Sequence, residues 1–419
     1  MKIAVVGAGI LGVTTAYELA LDGHEVTVFE KCASVAEVAS FATGGAMAAS
    51  LTQPLSHAAW PGPGALVRFF RNLDILPAAA AVNPSLLRWF IGWSGASSDG
   101  FFQNRVKAAC ALAVHSLERM DAICNDQKIE FESGSGQLDL CASEADLESH
   151  RPKLAVLKEL GVTHQILTAE EARALEPGMS SAVAIQSAVL FPDDRIGNCR
   201  QFSQLLKERA AQLGARFVLN TTVNAIKSGQ RLELQTTAID PPGQFDRVVL
   251  CTGQEANTLL ASLKIRLPCV TLQGYSLSAP MREPLNGPRN AIFDMRANVG
   301  IARIGARVRL TAGSVIGKPS AGARKKIQDQ LYRTLQSYFP GAAQLSQGPQ
   351  GAQFWGGQSV LSMDALPFIG PTPVPGLYIN TGHGLNGWGM ACGSAQLIAD
   401  QIAGRKCGVD EAPFRVGRF

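Results

Sequence analysis

The sequence predicts an α/β fold, and three stretches predict it. The first is residues 2–30, KIAVVGAGILGVTTAYELALDGHEVTVFE. Lys2 to Val6 is a short apolar run that reads as a buried strand. Gly7-Ala8-Gly9-Ile10-Leu11-Gly12 is a G-x-G-x-x-G turn, Thr14 to Leu21 a helix, and Gly23 its stop. Glu25 to Phe29 is a second strand, closed by Glu30. The second stretch is Phe245 to Gly253, FDRVVLCTG, a buried strand running into Thr252-Gly253. The third is the strand Pro375 to Asn380, a glycine-rich turn from Thr381 to Trp388, and a helix from about Met390 to Ile402.

In the first stretch each glycine has a role. Gly7 allows the tight strand-to-helix turn, Gly9 lets backbone approach a pyrophosphate, and Gly12 lets the helix pack closely on the sheet. Free N–H groups at the helix start face the phosphate charge, which places Ile10 and Leu11 beside it. Glu30 stands 18 residues after Gly12, placed to accept hydrogen bonds from a ribose. A carboxylate there disfavours a 2′-phosphate, so FAD or NAD is expected and NADP is not. The strand before Thr252-Gly253, returning to the first sheet, favours FAD. In the third stretch a second helix N-terminus meets a ligand, where its dipole stabilises the negative charge of a reduced flavin by up to ~2 kcal/mol. His383 reads as a flavin-side or capping residue rather than a proton carrier.

Length and composition set the frame. At 419 residues two or three domains are expected, and a 46% apolar share supplies their cores. The net charge is +4 without a Lys/Arg-rich block, which gives no sign of a nucleic-acid partner. The nine cysteines are scattered without a C-x-x-C pair, so no metal site and no disulfide framework are expected. The chain starts as a strand rather than a signal peptide, and the motif at its start leaves no room for a preceding domain. No run of about 18 apolar residues predicts a transmembrane helix. A soluble cytoplasmic protein fits these features.

Between the informative stretches the chain reads as follows. Ser40-Phe41-Ala42-Thr43-Gly44-Gly45 is a small-residue segment suited to run beside a pyrophosphate or flavin, or to be an ordinary loop. Residues 51–100 are irregular and rich in Pro, Gly, Trp and Phe, as lids and binding loops often are; His57 sits there as a candidate. Phe102 to Asn125 is a helix with one apolar face, Gln137 to Cys141 a strand, and Glu144 to Leu160 a helix. Thr168 and Glu171 form a capping box, and Asn198 caps a helix from Arg200 to Leu213 that Gly214 stops. Arg216 to Leu219 and Leu232 to Gln235 are strands with Val223 between them. Pro268 to Ser278 and Gly300 to Ile316 are strand-rich. Alternation about a turn at Gly305-Ala306 puts Arg307 and Arg309 on one face and Arg303 on the other. Lys325 to Tyr338 is an amphipathic helix.

Taken together, GAGILGVTTAYELA, SFATGGA, LFPDDRIGNC, LQGYSLSAP, RVRLTAGSVIG and YINTGHGLNGWGMACGSAQLIAD run in the order of a known family. The chain resembles the FAD-dependent D-amino-acid dehydrogenases, small-subunit type, within the D-amino-acid oxidase and glycine oxidase superfamily. The resemblance spans nearly the whole chain. It implies a Rossmann-like FAD-binding domain, discontinuous in sequence, plus a substrate domain with a large mixed or antiparallel β-sheet. The FAD domain would take residues 1–85, 165–264 and 360–419, and the substrate domain 86–164 and 265–359. It implies that Gly7, Gly9, Gly12, Glu30, Ser40, Thr43, Gly44, Gly45, Val223, Thr252, Gly253 and the run Gly382, His383, Gly384, Leu385, Asn386, Gly387 lie along FAD. Lys31 would sit near the adenosine. It also implies a quinone or another electron acceptor, and a place at the inner face of a bacterial membrane.

One departure stands out. The family's Trp-x-Gly-x-Arg-Pro segment, whose arginine grips the substrate carboxylate as a bidentate fork, is here Trp355-Gly356-Gly357-Gln358-Ser359-Val360. Serine occupies the arginine place. Either another cation, Arg303 or Arg309, takes over, or the substrate is not a simple α-amino acid. The implied reaction is oxidation of an amine-bearing carbon, with hydride passing to flavin N5 and the imine hydrolysed to ketone and ammonia. The amine must be neutral, so the rate should rise with pH. No side-chain base is required. Tyr275 and Trp355 are expected to shape the pocket, or else simply to pack the core. The alternatives are a flavin oxidase or dehydrogenase for a secondary amine or imino acid, an FAD-binding partner subunit of a larger complex, and an NAD(P)-linked reductase.

Overall fold

The computed structural model describes residues 1–51, 86, 89, 91, 92, 99–238, 243–317, 321–345 and 351–419. The candidate His57 lies outside these residues. Strands β1 (Lys2–Val6) and β2 (Glu25–Phe29) flank helix α1 (Ile10–Leu21). β3 (Ala46–Met47), α2 (Asp99–Gln127), β4 (Ser133–Cys141) and α3 (Glu144–Glu159) follow. Next come β5 (Gln165–Thr168), α4 (Ala169–Leu175), β6 (Ser187–Gly197), α5 (Cys199–Gln212) and β7 (Arg216–Val218). The strands β8 (Val223–Lys227), β9 (Leu232–Thr236) and β10 (Gln244–Phe245) form a small antiparallel sheet. β11 (Arg247–Leu250) and α6 (Ala256–Ala261) then lead into β12 (Cys269–Pro280). β13 (Ala291–Asp294), β14 (Val299–Ile304), β15 (Arg307–Ile316) and α7 (Ala321–Tyr338) come next. The last elements are β16 (Gln353–Ser362), β17 (Phe368–Pro371), β18 (Leu377–Thr381) and α8 (Ala391–Ala403).

Among the described residues β1 is central in a six-stranded sheet ordered β17-β18-β11-β1-β2-β7. β2, β7, β11 and β18 all run parallel to β1, and β17 runs against them. Parallel sheets need cover on both faces, and alternation supplies it. Ile3 and Val5 pack with α1, α2, α5 and α8 in one core, whereas Ala4 and Val6 pack with the small β8–β10 sheet and α6 in another. The returning strand is the one expected before Thr252: Val6 pairs with Leu250, so β1 and β11 end level.

The second large sheet is ordered β16-β12-β15-β14-β13-β4-β6-β3, with β5 added on β6. Val299, Ile301, Val308 and Leu310 pack on α7 through Ile327, Leu331 and Leu335. The alternate positions Gly300, Ala302 and Thr311 face the space between the two sheets. The architecture is therefore mixed α/β, with a Rossmann-like sheet beside a large mixed sheet. β5 and β6, from the 165–264 segment that the resemblance gives to the FAD domain, pair in this second sheet.

Candidate active site

The carboxyl ends of β1, β2, β11 and β18 meet at one edge, where Gly7, Glu30, Thr252 and Gly382 begin their connections. This is the edge at which doubly wound sheets bind ligands. Gly7 has φ +96°, and a Cβ there would lie 2.7 Å from the Cys251 carbonyl oxygen. Gly9 caps α1 without a side chain, so the Leu11 and Gly12 amides of the first turn are left for a ligand. The amide of Ile10 donates to Ser40 Oγ at 3.0 Å, which draws the 40–45 segment onto the helix start. Glu30 is buried; its Oε2 accepts from the Ala8 amide (2.6 Å) and its Oε1 from the Cys32 amide (2.9 Å). It thus also braces the glycine-rich turn, and each oxygen keeps a lone pair for the ribose hydroxyl expected there. Lys31 is ion-paired with Glu255 beside it.

From this edge a cavity of about 420 Å³ runs to the second sheet. Gly7, Gly9, Ile10, Leu11, Glu30, Lys31, Ser40, Thr43, Gly44, Gly45, Val223, Thr252, Gly253, Gly382, His383, Gly384, Leu385 and Gly387 line it, as do Tyr275, Trp355 and Ser359. Gly12 and Asn386 are not in the lining. Gly12 packs against Gly7, where a Cβ would stand 1.8 Å from the carbonyl oxygen; Asn386 Nδ2 donates to the Ala48 carbonyl. Arg303 is exposed, with Nε on the Gly305 carbonyl, which removes it from the site. Arg309 shares the cavity-side face with Ala302, yet its Nη1 is spent on the Thr43 carbonyl at 3.1 Å and it does not reach the lining.

Several lining residues were not singled out in the sequence. Thr221, Thr222, Gln254 and Glu255 lie at the nucleotide end, Gln137 and Gln358 on the second sheet, and Asn298 in the turn before β14. They are single polar residues in strands or loops without a motif, and only Gln137, polar in an alternating apolar strand, carried a signal.

The residues present fit FAD. Thr252 Oγ1, Thr381 Oγ1 and His383 Nδ1 are buried at the cavity with no hydrogen-bond partner among the described residues, as groups meant for a ligand would be. His383 Nε2 lies 2.8 Å from Ser394 Oγ, whose hydroxyl donates to the Met390 carbonyl at 2.7 Å. The single serine proton is therefore used, so Nε2 carries hydrogen and Nδ1 presents a lone pair. Burial pushes the imidazole down to about 3, so the ring is neutral. At the substrate end Tyr275 stacks on Phe354 (centroids 5.4 Å apart), with burial pushing its hydroxyl upward. Trp355 tilts against Phe41 at 4.5 Å, and the Arg200 guanidinium lies over the Phe41 ring at 4.3 Å. Ser359 pairs with Leu272 across β12 and β16.

Comparison with known proteins agrees with this geometry. A model of the family described as FAD dependent oxidoreductase, DAO, matches residues 2–401. The chain is 33% identical to a D-amino acid dehydrogenase of Rhizorhabdus wittichii over the full length of both. It is 31% identical to one of Bradyrhizobium diazoefficiens, covering all of this chain and 99% of the other. Among solved structures, glycine oxidase from Geobacillus kaustophilus shares the fold at a TM-score of 0.75 and 23% identity, covering 100% and 98% of the two chains. L-proline dehydrogenase from P. horikoshii does so at 0.75 and 17%, covering 100% and 97%. With a dinucleotide cradle, a cavity shared by two sheets and a family match along almost its whole length, the chain belongs to the DAO family of FAD-dependent oxidoreductases.

Proposed function

We propose that this chain is a D-amino-acid dehydrogenase, oxidising the amine-bearing carbon to an imine that water hydrolyses to 2-oxo acid and ammonia. One observation carries the reading: full-length similarity to D-amino acid dehydrogenases falls on a chain whose cavity joins the dinucleotide cradle to the second sheet. Bound FAD supplies the hydride acceptor. The protein's part is to position and desolvate. Tyr275 and Trp355 wall the substrate end, and the neutral His383 holds its acceptor toward the cofactor without moving a proton. Of the charged lining residues among those described, Glu30, Lys31 and Glu255 belong to the loops at the nucleotide end, and Glu37 is ion-paired with Arg200 at 3.5 Å. The substrate amine must therefore lose its own proton to solvent before oxidation.

In this reading electrons leave to an external acceptor, a quinone at the inner face of a bacterial membrane. Attachment there is peripheral, since no described helix is long and apolar enough to cross a membrane. Ser359 favours a second substrate class, secondary amines and imino acids such as D-proline. Anaerobic titration with D-alanine, D-proline and sarcosine, followed by the flavin absorption band, tests both. Bleaching by D-alanine, at a rate that rises with pH, is expected. Bleaching by D-proline or sarcosine but not by D-alanine would move the secondary-amine reading forward. A yellow protein that no amine bleaches would refute both and leave an FAD-binding subunit. Adding a soluble ubiquinone to the bleached protein tests the acceptor, and recovery faster than in air is expected.

A further inference from the structure

A group of buried charges stands behind the cavity wall at Gln137 without reaching the lining. Asp139 on β4 is 1% exposed and Lys153 on α3 is 3% exposed. Lys153 Nζ stands 3.6 Å from Asp139 Oδ2 and donates to the Ser50 carbonyl at 2.9 Å. His150 Nε2 is 3.9 Å from the same carboxylate oxygen. Burial pushes Asp139 upward, and Lys153 and the Gln137 amide pull it back. Such a pair is expensive to bury and is weak evidence of stability alone.

Its position relative to Gln137 gives it a use. Gln137 lies two residues before Asp139 on the same strand face. Its Nε2 donates to Asp139 Oδ1 at 2.8 Å and to Ser50 Oγ at 3.0 Å. The carboxylate accepts only, so a flipped amide would set oxygen against oxygen. The side chain is therefore locked with nitrogen toward Asp139. Its Oε1 takes no hydrogen bond from a described residue, and Gln137 lines the cavity beside Leu51.

We propose that Gln137 Oε1 accepts a hydrogen bond from the substrate amine, with Asp139 and Lys153 as positioning residues behind it. This rests on the amine-oxidation reading above. A neutral acceptor suits that chemistry: it orients N–H groups while stabilising the ammonium form, which cannot release hydride, less than a carboxylate would. A carboxylate in its place would raise the amine pKa. The titratable groups that face Asp139, the hydrogen-bond partner of Gln137, are Cys141 from β4, Lys153 and His150 from α3, and Asp194 from β6. The Asp139 charge is offset by Lys153, and Asp194, pushed up to about 6, adds a negative charge to the cluster above that pH.

The probes are D-alanine and its amine-lacking counterpart propionate, with the holoenzyme in anaerobic stopped flow. In Gln137→Met the apparent Kd of D-alanine should rise about tenfold, while the Kd of propionate, read from the flavin band, stays within about twofold. In Gln137→Glu the apparent pKa of flavin reduction by D-alanine should rise by about one unit or more. Asp139→Asn, which frees the amide to turn, should weaken D-alanine and spare propionate. Equal weakening of both probes in Gln137→Met, or an unmoved pH profile in Gln137→Glu, overturns the proposal while amine oxidation stands. A wild-type flavin that D-alanine does not bleach removes the amine reading and this proposal with it.

Discussion

Gly12 and Gly7 touch backbone to backbone, and a methyl group on Gly12 would fall 1.8 Å from the Gly7 carbonyl oxygen. That oxygen belongs to a turn held at φ +96° and cannot retreat. Gly12→Ala should therefore lose FAD absorbance on purification and lower stability by about 2 kcal/mol or more, measured by urea unfolding. Buried ionisable residues give a second expectation. Burial pushes Asp194 up to about 6, although its Oδ1 accepts from the Ala49 amide at 3.0 Å. A folded pKa above the unfolded one means that the native state binds the proton more tightly. Its contribution is present below pH ~4 and is lost as pH rises to about 6. Asp194→Asn, which keeps the acceptor, should stabilise the protein by on the order of 2 kcal/mol at pH 8 and by little at pH 4. His383 runs the other way. Its depressed pKa leaves the neutral ring stabilising above pH ~6.5 and being lost as pH falls toward 3. The spectrum of bound FAD should accordingly be constant from pH 6 to 9.

At the scale of elements, α1 is buried along nearly its whole length, and it is clamped to α2 by charge. Glu18 accepts from Arg119 in a two-pronged pair, at 2.7 and 2.8 Å, both side chains being largely enclosed. Removing one partner strands the other. Arg119→Met should lower stability by about 3 kcal/mol while the cavity is untouched, so FAD affinity at low temperature should stay near wild type. Elements with local punctuation were legible in the sequence. The Thr168–Glu171 capping box and the Asn198 cap stand as read, and α5 ends just before Gly214. β8 (Val223–Lys227) was missed as a strand, and its pairing with β9 is a tertiary fact. The partnership of β5 and β6 is tertiary too: a strand pattern says that a segment pairs, not with which sheet.

For the molecule as a whole, the cavity is walled by two sheets whose cores are separate. A cofactor lying between them tightens the native state by mass action, about 4 kcal/mol at a thousandfold excess over Kd. Stripping FAD should thus lower the Tm by several degrees and speed proteolysis, and adding FAD back should reverse both. The nucleotide half of the site was legible because glycine spacing and a terminal acid are local signals. The substrate half was not. Alternation set Arg303 and Arg309 on opposite strand faces in the sequence, but which face meets the cavity, and that Arg309 turns to the Thr43 carbonyl, follow only from register and exposure in the fold.

The placing of β1 has a further consequence for biosynthesis. Its neighbours are β2, made at once, and β11, which begins some 240 residues later; β18 beyond it comes later still. A ribosome-bound chain therefore carries β1 with one edge unsatisfied for most of translation. Contacts this distant in sequence slow folding and leave that edge open to wrong partners. Cofactor capture is then a late, post-translational event, and overexpression outpacing chaperone supply should yield aggregates rather than colourless soluble protein.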